Sequence, residues 1–557
     1  MCAQVKISPD LISQLEQKSS VEAILWLKEK ALFPTYQDSW SKEKKTEFVY
    51  QTLIQHAQRS QKQLKEVLTN RNISFNSFWI VNAIRCKINQ EDLQILQQRT
   101  DLHAILYDQA VKQSFDLPAN LLSLNPRSPD LTWGIRRMAV DKVWELGIDG
   151  TGVILAGHDT GYKWDMDGIK EKYRGWNGTD VDHNYNWHDA IHDISPLSAD
   201  SVNPCGLNLI TPCDDHGHGT HTAGTMVGRT DDLSYGVAPG AKWMGCRNME
   251  RGNGAPSTYI ECFEFFLAPT DLQGQNPRTD LAPHAINNSW FCSPEEGCNP
   301  TNFSFMEEVV DHLTLAGIVV VVSAGNNGHT CGTIAFPPAY FTNSLTVGSF
   351  AENDTISSFS SIGPVYTDSS LRIKPDVVAP GSGVLSRPLS GQLEAWNGTS
   401  MAGPHVAGLV ALIIHANPEL AGQVEKIKEI IKQSARPHEA AIQCDSFLAT
   451  AIPNYMYGFG KVMADEAVRR AIILKSKNPY SNQKTLNILP NPVGEFMTIQ
   501  SEIDENYTIL ISDLNNKYIQ EIKIKSKSQK IDLSSLKPGF YFLKKTNESK
   551  CYKFVKI

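Results

Sequence analysis

The sequence has no apolar run long enough to cross a membrane. A stretch such as Ile318 to Val322 falls far short of the roughly 18–20 residues that a spanning helix needs, so the chain reads as soluble. It has no surplus of positive charge. Lys and Arg number 52 against 60 Asp and Glu, for a net charge of −8, and a pI near 6.0 gives nucleic acid no basic field to bind. There is no Cys-x-x-Cys among the 11 cysteines, which removes support for zinc knuckles and thioredoxin-like redox chemistry. No long-period repeat is visible. Met1 to Lys6 lacks the charged and apolar regions of an export signal, so an exported chain has lost its signal before this numbering begins.

What is present is ordinary globular composition, with 41% hydrophobic, 20% charged and 9% aromatic residues over 557 positions. At about 150 residues per domain that length suggests three or four units. Eight cysteines fall between Cys205 and Cys444, with Cys205/Cys213 and Cys292/Cys298 closely spaced. Such a cluster reads as disulfides formed in an oxidising compartment.

The chain divides by texture. A segment at 1–19 precedes a small α+β unit at 20–110. In that unit Thr52 to Asn70 has helical spacing, Asn76 to Ile88 reads as one strand, and a second helix and strand follow at Gln90–Gln98 and Ala104–Tyr107. Residues 111–131, with Pro118, Pro126 and Pro129, read as a linker. From 132 to 475, short apolar runs (Val153–Ala156, Ile318–Val322, Leu345–Val347, Val377–Ala379) alternate with helical patterns. That alternation predicts right-handed crossovers and a central parallel sheet covered on both faces. A polar linker at 476–485 leads to a strand-rich end, 486–557.

Four islands carry chemistry. Ile154 to Gly161 ends an apolar strand in His158-Asp159-Thr160-Gly161. Asp215-His216-Gly217-His218-Gly219-Thr220-His221 supplies imidazoles, and Gly398-Thr399-Ser400-Met401-Ala402 places a hydroxyl ahead of an apolar helix at Val406–Ile414. A hydroxyl is a weak nucleophile near neutral pH. It needs an imidazole to take its proton and a carboxylate to hold that imidazole. The fourth island is Ser323-Ala324-Gly325-Asn326. An amide just past a strand end can donate to a developing oxyanion, worth roughly 10²–10³ in rate. The one Asp-Thr-Gly does not make an aspartic protease, which needs two carboxylates. His216, His218 and His221 leave a metallo-hydrolase open as a rival, although Thr220 stands where the common His-x-His motif has Asp.

At these residues the chain resembles the subtilisin-like serine proteases. Asp-Thr-Gly, His-Gly-Thr-His-x-Ala-Gly and Gly-Thr-Ser-Met-Ala-x-Pro-His-Val-Ala-Gly are that family's three blocks, unbroken here. The resemblance implies a three-layer α/β fold with a central parallel sheet over 132–475. It assigns Asp159 as orienting acid, His218 as general base, Ser400 as nucleophile and Asn326 as oxyanion donor. Asn287-Asn288-Ser289-Trp290 is similar to the substrate-binding strand, and the insertion from Lys170 to Trp187 is similar to the bacillopeptidase F branch. Ser289, Trp290, Gly325 and Ala335 would line the pocket for the residue before the cut, and no acidic side chain among them favours an apolar residue there.

Residues 20–110 would be an inhibitory propeptide, a partner of the enzyme that is later removed. Leu489-Pro490-Asn491-Pro492-Val493 and Tyr552 to Lys556 make 486–557 resemble the type IX secretion sorting domain, a small β-sandwich. That tail implies the type IX machinery as a partner, with release from or display on a Gram-negative cell. Catalysis would need no cofactor. Structural calcium fits the family, with Asp165/Asp167 and Asp180/Asp182 the acidic stretches and no ligand assigned. The substrates would be proteins or peptides. The rival from another class is a catalytically silent surface adhesin on a protease-like fold.

Overall fold

The computed structural model describes residues 5–112, 131–198, 202–290, 305–328, 330–444, 450–476, 487–500, 507–513, 517–526, 528–546 and 551–557. Its centre is a parallel sheet built from β7 (Ile154–Asp159), β8 (Trp187–Asp189), β9 (Lys242–Arg247), β11 (Ala285–Asn288), β12 (Val319–Ser323), β13 (Leu345–Phe350) and β14 (Val377–Pro380). The seven strands run in the order β14-β13-β12-β11-β7-β9-β8. All neighbouring pairs are parallel.

The valine run of β12 shows why such a strand must be apolar throughout. Successive side chains point to opposite faces. Val319 and Val321 join the core under α7 (His218–Val227) and α10 (Thr399–Ala416). Val320 and Val322 join the core under α8 (Pro256–Leu267) and α9 (Met306–Leu315). Both faces are covered, which is the three-layer arrangement the alternation predicts. α10 is long and apolar enough to span a membrane by composition, and its residues are 94% buried inside the protein.

That helix begins seven residues before the apolar run at Val406 and contains Pro404. A proline inside a helix leaves the carbonyl four residues earlier without its donor. Here that carbonyl is Ser400 O, which accepts instead from the Ser289 hydroxyl at 2.9 Å.

The N-terminal domain is a five-stranded sheet in the order β1-β5-β2-β4-β3, from β1 (Lys6–Ile7), β2 (Val21–Leu27), β3 (Phe75–Phe78), β4 (Ala83–Ile88) and β5 (Leu102–Tyr107). β1 pairs with β5, and Leu11 and Leu15 enter the same core. Residues 5–19 therefore do not stand apart from 20–110 as expected, because the apolar side chains of Val5, Leu11 and Leu15 are buried in the same core. The helix expected at 52–70 begins at Lys42 and breaks at Gln61. The strand expected at 76–88 is two, parted by a turn at Trp79–Asn82 with Asn82 at φ 46°.

The Trp79–Asn82 turn docks on the catalytic domain. The Glu264 carboxylate accepts from Ile80 N at 2.9 Å and from Trp79 N, and His312 Nδ1 contacts Ile80 O at 2.6 Å. At the far end of the interface the Lys42 ammonium donates to Ala282 O at 2.6 Å and the Lys45 ammonium to Gly422 O at 2.7 Å. The Thr46 hydroxyl donates to Ala316 O at 2.9 Å. In β2, Ala23, Leu25 and Leu27 face the domain's own core while Ile24 and Trp26 face the catalytic domain. Within the expected linker, β6 (Val111–Lys112) pairs with β10 (Asn253–Gly254).

At the other end, a three-stranded and a four-stranded sheet enclose an apolar core of Val493, Met497, Ile509, Leu543 and Phe554 among others. All pairs within both sheets are antiparallel.

Cys205–Cys213, Cys246–Cys262 and Cys331–Cys444 are disulfides, and Cys86 is a buried free thiol. Cys292 and Cys298 lie outside the described residues. The Cys331–Cys444 bond closes a separation of 113 residues, for which chain entropy gives about 5 kcal/mol. Replacing both cysteines by serine should lower stability by about 2–4 kcal/mol. Urea unfolding would show this as a lower midpoint, and an unmoved midpoint would refute it.

Candidate active site

The ends of two elements meet at Asp159 and His218, and Ser400 stands at the start of a third. Asp159 is the last residue of β7, His218 the first of α7 and Ser400 the second of α10. His218 Nδ1 lies 2.7 and 2.9 Å from the two Asp159 oxygens. Their side chains are 2% and 1% exposed. An acceptor pair at Nδ1 fixes the tautomer in which Nε2 is the proton acceptor. The approach of α7 to β7 needs a residue without Cβ at 219, since a Cβ on Gly219 would come within 2.1 Å of Gly161 O.

Ser400 is 6% exposed and its hydroxyl donates to Ser289 O at 3.1 Å. Its place in the first turn of an 18-residue helix sets it in the positive end of the helix dipole. Asn326 Oδ1 accepts from both the Thr399 amide and the Thr399 hydroxyl at 2.9 Å. With the oxygen so engaged, Nδ2 is left to donate. It faces Gly398, lying 3.7 Å from where a Cβ there would stand. Replacing Asn326 by alanine should lower kcat by roughly 10²–10³, the magnitude measured for losing one oxyanion donor. KM should stay within about twofold, and peptide-ester kinetics giving a loss below tenfold would remove Asn326 from the site.

Of the expected pocket residues, Ser289 lies against Ser400 through the two bonds already given. Gly325, at φ 103°, donates its N–H to the Thr399 hydroxyl at 3.2 Å. Ala335 is half-buried and receives the Thr367 hydroxyl on its carbonyl at 2.9 Å. Trp290 departs from the expectation of a pocket wall. Its ring stacks on Tyr259 at 3.9 Å and its N–H donates to His158 Nε2 at 3.1 Å. An indole has more apolar surface to bury than a pocket rim can cover, and it finds that cover beneath α8. Full burial pulls His158 down to about 3, keeping the ring neutral.

The three imidazoles of 216–221 are not gathered. His218 faces Asp159, His221 stacks on Trp396 at 4.8 Å, and the His216 and His218 rings are 6.4 Å apart. No group of three or more metal-ligating side chains is placed to hold an ion among the described residues.

Sequence reasoning passed over Asp214. Its carboxylate accepts from the Thr160 hydroxyl at 2.9 Å, Gly217 N at 2.7 Å, and the Thr220 amide and hydroxyl at 3.0 and 2.6 Å. It therefore ties the residue after Asp159 to the turn before His218. An Asp four residues ahead of the base was the available signal.

An alcohol, a carboxylate-held imidazole and an amide donor at the open end of a parallel sheet belong to the serine hydrolases. Residues 150–460 match the Subtilase family model, and the chain belongs to that family. Residues 487–557 match the secretion system C-terminal sorting domain. The chain is 31% identical to Bacillopeptidase F of Bacillus subtilis over 84% of its length and 32% of that protein's. It is 34% identical to the subtilase-type proteinase psp3 of Schizosaccharomyces pombe, over 40% of this chain and 44% of that one. It thus spans well under two thirds of these relatives' lengths. Among solved structures, the epidermin leader peptide processing serine protease of Staphylococcus aureus shares the fold. That match has a TM-score of 0.56 and 15% identity, covering 81% of this chain and 99% of the other.

Proposed function

We propose that this chain is a secreted serine endopeptidase made as a self-processing zymogen. The observation that carries the reading is the buried His218–Asp159 contact, and a serine in the first turn of a helix, Ser400, supports it. In the reaction Ser400 Oγ attacks the peptide carbonyl and its proton passes to His218 Nε2, while Asp159 stabilises the imidazolium. The oxyanion is held by Asn326 Nδ2 and the Ser400 N–H. Collapse returns the proton to the leaving amine, and water repeats the sequence on the acyl-enzyme.

The N-terminal domain acts as the inhibitory propeptide, and support for this comes from β6, which lies along β10 as a substrate strand would. The tail at 487–557 serves as the address for type IX secretion, which places the enzyme outside a Gram-negative cell or on its surface. Three disulfides agree with that compartment.

The test is covalent labelling. A fluorophosphonate should add to one residue, and peptide mass mapping should find the adduct on Ser400. Absence of any adduct on processed protein would hand the lead to the silent adhesin.

A further inference from the structure

β6 sets the direction in which a chain enters the site. Val111 pairs with Gly254 and Lys112 with Asn253, antiparallel. Five residues before Asn253, the Asn248 N–H donates to Asp159 O at 3.0 Å. A chain in this register has its C-terminal end toward the catalytic residues and its N-terminal end toward the start of α8.

On that N-terminal side, Tyr107, Asp108 and Ala110 line a cleft of about 380 Å³. They share it with the segment Ile191–Pro196 and with the first turns of α8. The segment is braced from behind. His192 Nε2 lies 2.8 and 3.0 Å from the Glu261 oxygens. Its Nδ1 contacts Asn208 Oδ1 at 2.6 Å, and Ser195 N donates to Glu250 at 3.4 Å. Arg247, fully buried, holds the same insertion through Gly206 O at 2.9 Å and Asp189 at 3.5 Å. This wall belongs to the catalytic domain and stays when the N-terminal domain leaves.

One group sits in the cleft as a ligand would. The Asp108 side chain is 1% exposed, and its Oδ1 accepts the Ser257 N–H at 3.1 Å. Arg85, which pairs with its other oxygen at 2.9 Å, belongs to the N-terminal domain and departs with it. The Ser257 N–H is then left to water or to an incoming chain, and a carboxylate is the strongest acceptor such a chain can bring.

We propose that this cleft is a substrate subsite continuing the unprimed side beyond β10, and that it takes an acidic side chain three residues before the one paired with Gly254. The carriers are the antiparallel register, the braced Ile191–Pro196 wall and the Asp108 carboxylate already seated on Ser257. Within the cleft the Glu261 carboxylate contacts His188 and His192, and His192 is pushed up to about 9 by Glu261, so the charges of Glu261 and His192 cancel at neutral pH. The enzyme selected for is one that reads long extended chains with an acidic upstream residue.

This inference rests on the peptidase reading, so the processed enzyme, prepared from the full chain, is first assayed on casein. Failure there overturns that reading and this one with it. Three quenched peptides are then compared: residues 111–120 of this chain, residues 106–120, and 106–120 with Asp108→Lys. A charge-assisted hydrogen bond gives roughly a tenfold or greater gain in kcat/KM for the longer natural peptide. The Lys peptide loses that gain. Ser257→Pro, which removes that N–H in the first turn of α8, brings the ratio of the 106–120 rate to the 111–120 rate down toward one. Equal rates for all three peptides, or an undiminished gain in Ser257→Pro, overturn the subsite and leave the peptidase reading standing.

Discussion

Ser400→Ala should stay at the full 61.8 kDa while wild type sheds its N-terminal domain by a cut beyond Lys112. The reasoning is geometric. β6 is already paired with β10 in the intact chain, so the junction is delivered to the site with no second molecule required, and holding reactants together replaces a bimolecular step by a unimolecular one. Removing Oγ removes the only atom that forms the acyl bond, and peptide hydrolysis should fall by about 10⁴–10⁶. The hydroxyl gives up a 3.1 Å bond to Ser289 O, a single neutral hydrogen bond worth about 1 kcal/mol, so stability should change little. Intact mass before and after incubation reads the result. Equal cutting of both proteins would mean another protease does the processing.

The second large effect is expected at Asp159. Asp159→Asn keeps the shape and the burial but turns an acceptor pair into one acceptor and one donor. Nδ1 of His218 then meets a donor, the other tautomer is favoured, and Nε2 carries a proton where it should accept one. kcat should fall about 10⁴-fold with KM nearly unchanged. Asp159 also accepts from Thr160 N at 2.7 Å, which the remaining amide oxygen can still serve. A loss smaller than about tenfold in steady-state peptide-ester kinetics would sink the assignment.

The family was legible in the sequence because the groups proposed as catalytic are carried by short motifs whose small residues are also required sterically, as Gly219 illustrates. The sheet was legible because strands buried on both faces must be apolar at every position, and Val319–Val322 are. The residues that escaped depend on partners far along the chain. The turn at Trp79–Asn82 interrupts an otherwise strand-like run, and it is met by Glu264, a residue 184 positions from Ile80. Trp290 sits beside Ser289 in sequence, yet its ring answers to Tyr259 and His158 under α8. Pro404 should have ended a helix early, and the Ser289 hydroxyl supplies the bond it removes. Each of these is a tertiary contact overriding a local preference, which no window of neighbouring residues contains.

The contacts made by Lys42, Lys45 and Thr46 end on main-chain carbonyls, those of Ala282, Gly422 and Ala316. A surface recognised through its backbone tolerates drift in its side chains. Substitutions at 282 or 316 leave the acceptor in place, so the two partners need not change in step as the family diverges. At this end of the seat an N-terminal domain could therefore meet a changed surface sequence, whereas at the Trp79–Asn82 turn it depends on the Glu264 and His312 side chains. Gly422 is the fixed point in that freedom. It stands at φ 78° with Lys42 Cα 2.8 Å from where a Cβ would lie, and a larger residue there would close the seat to every such partner at once.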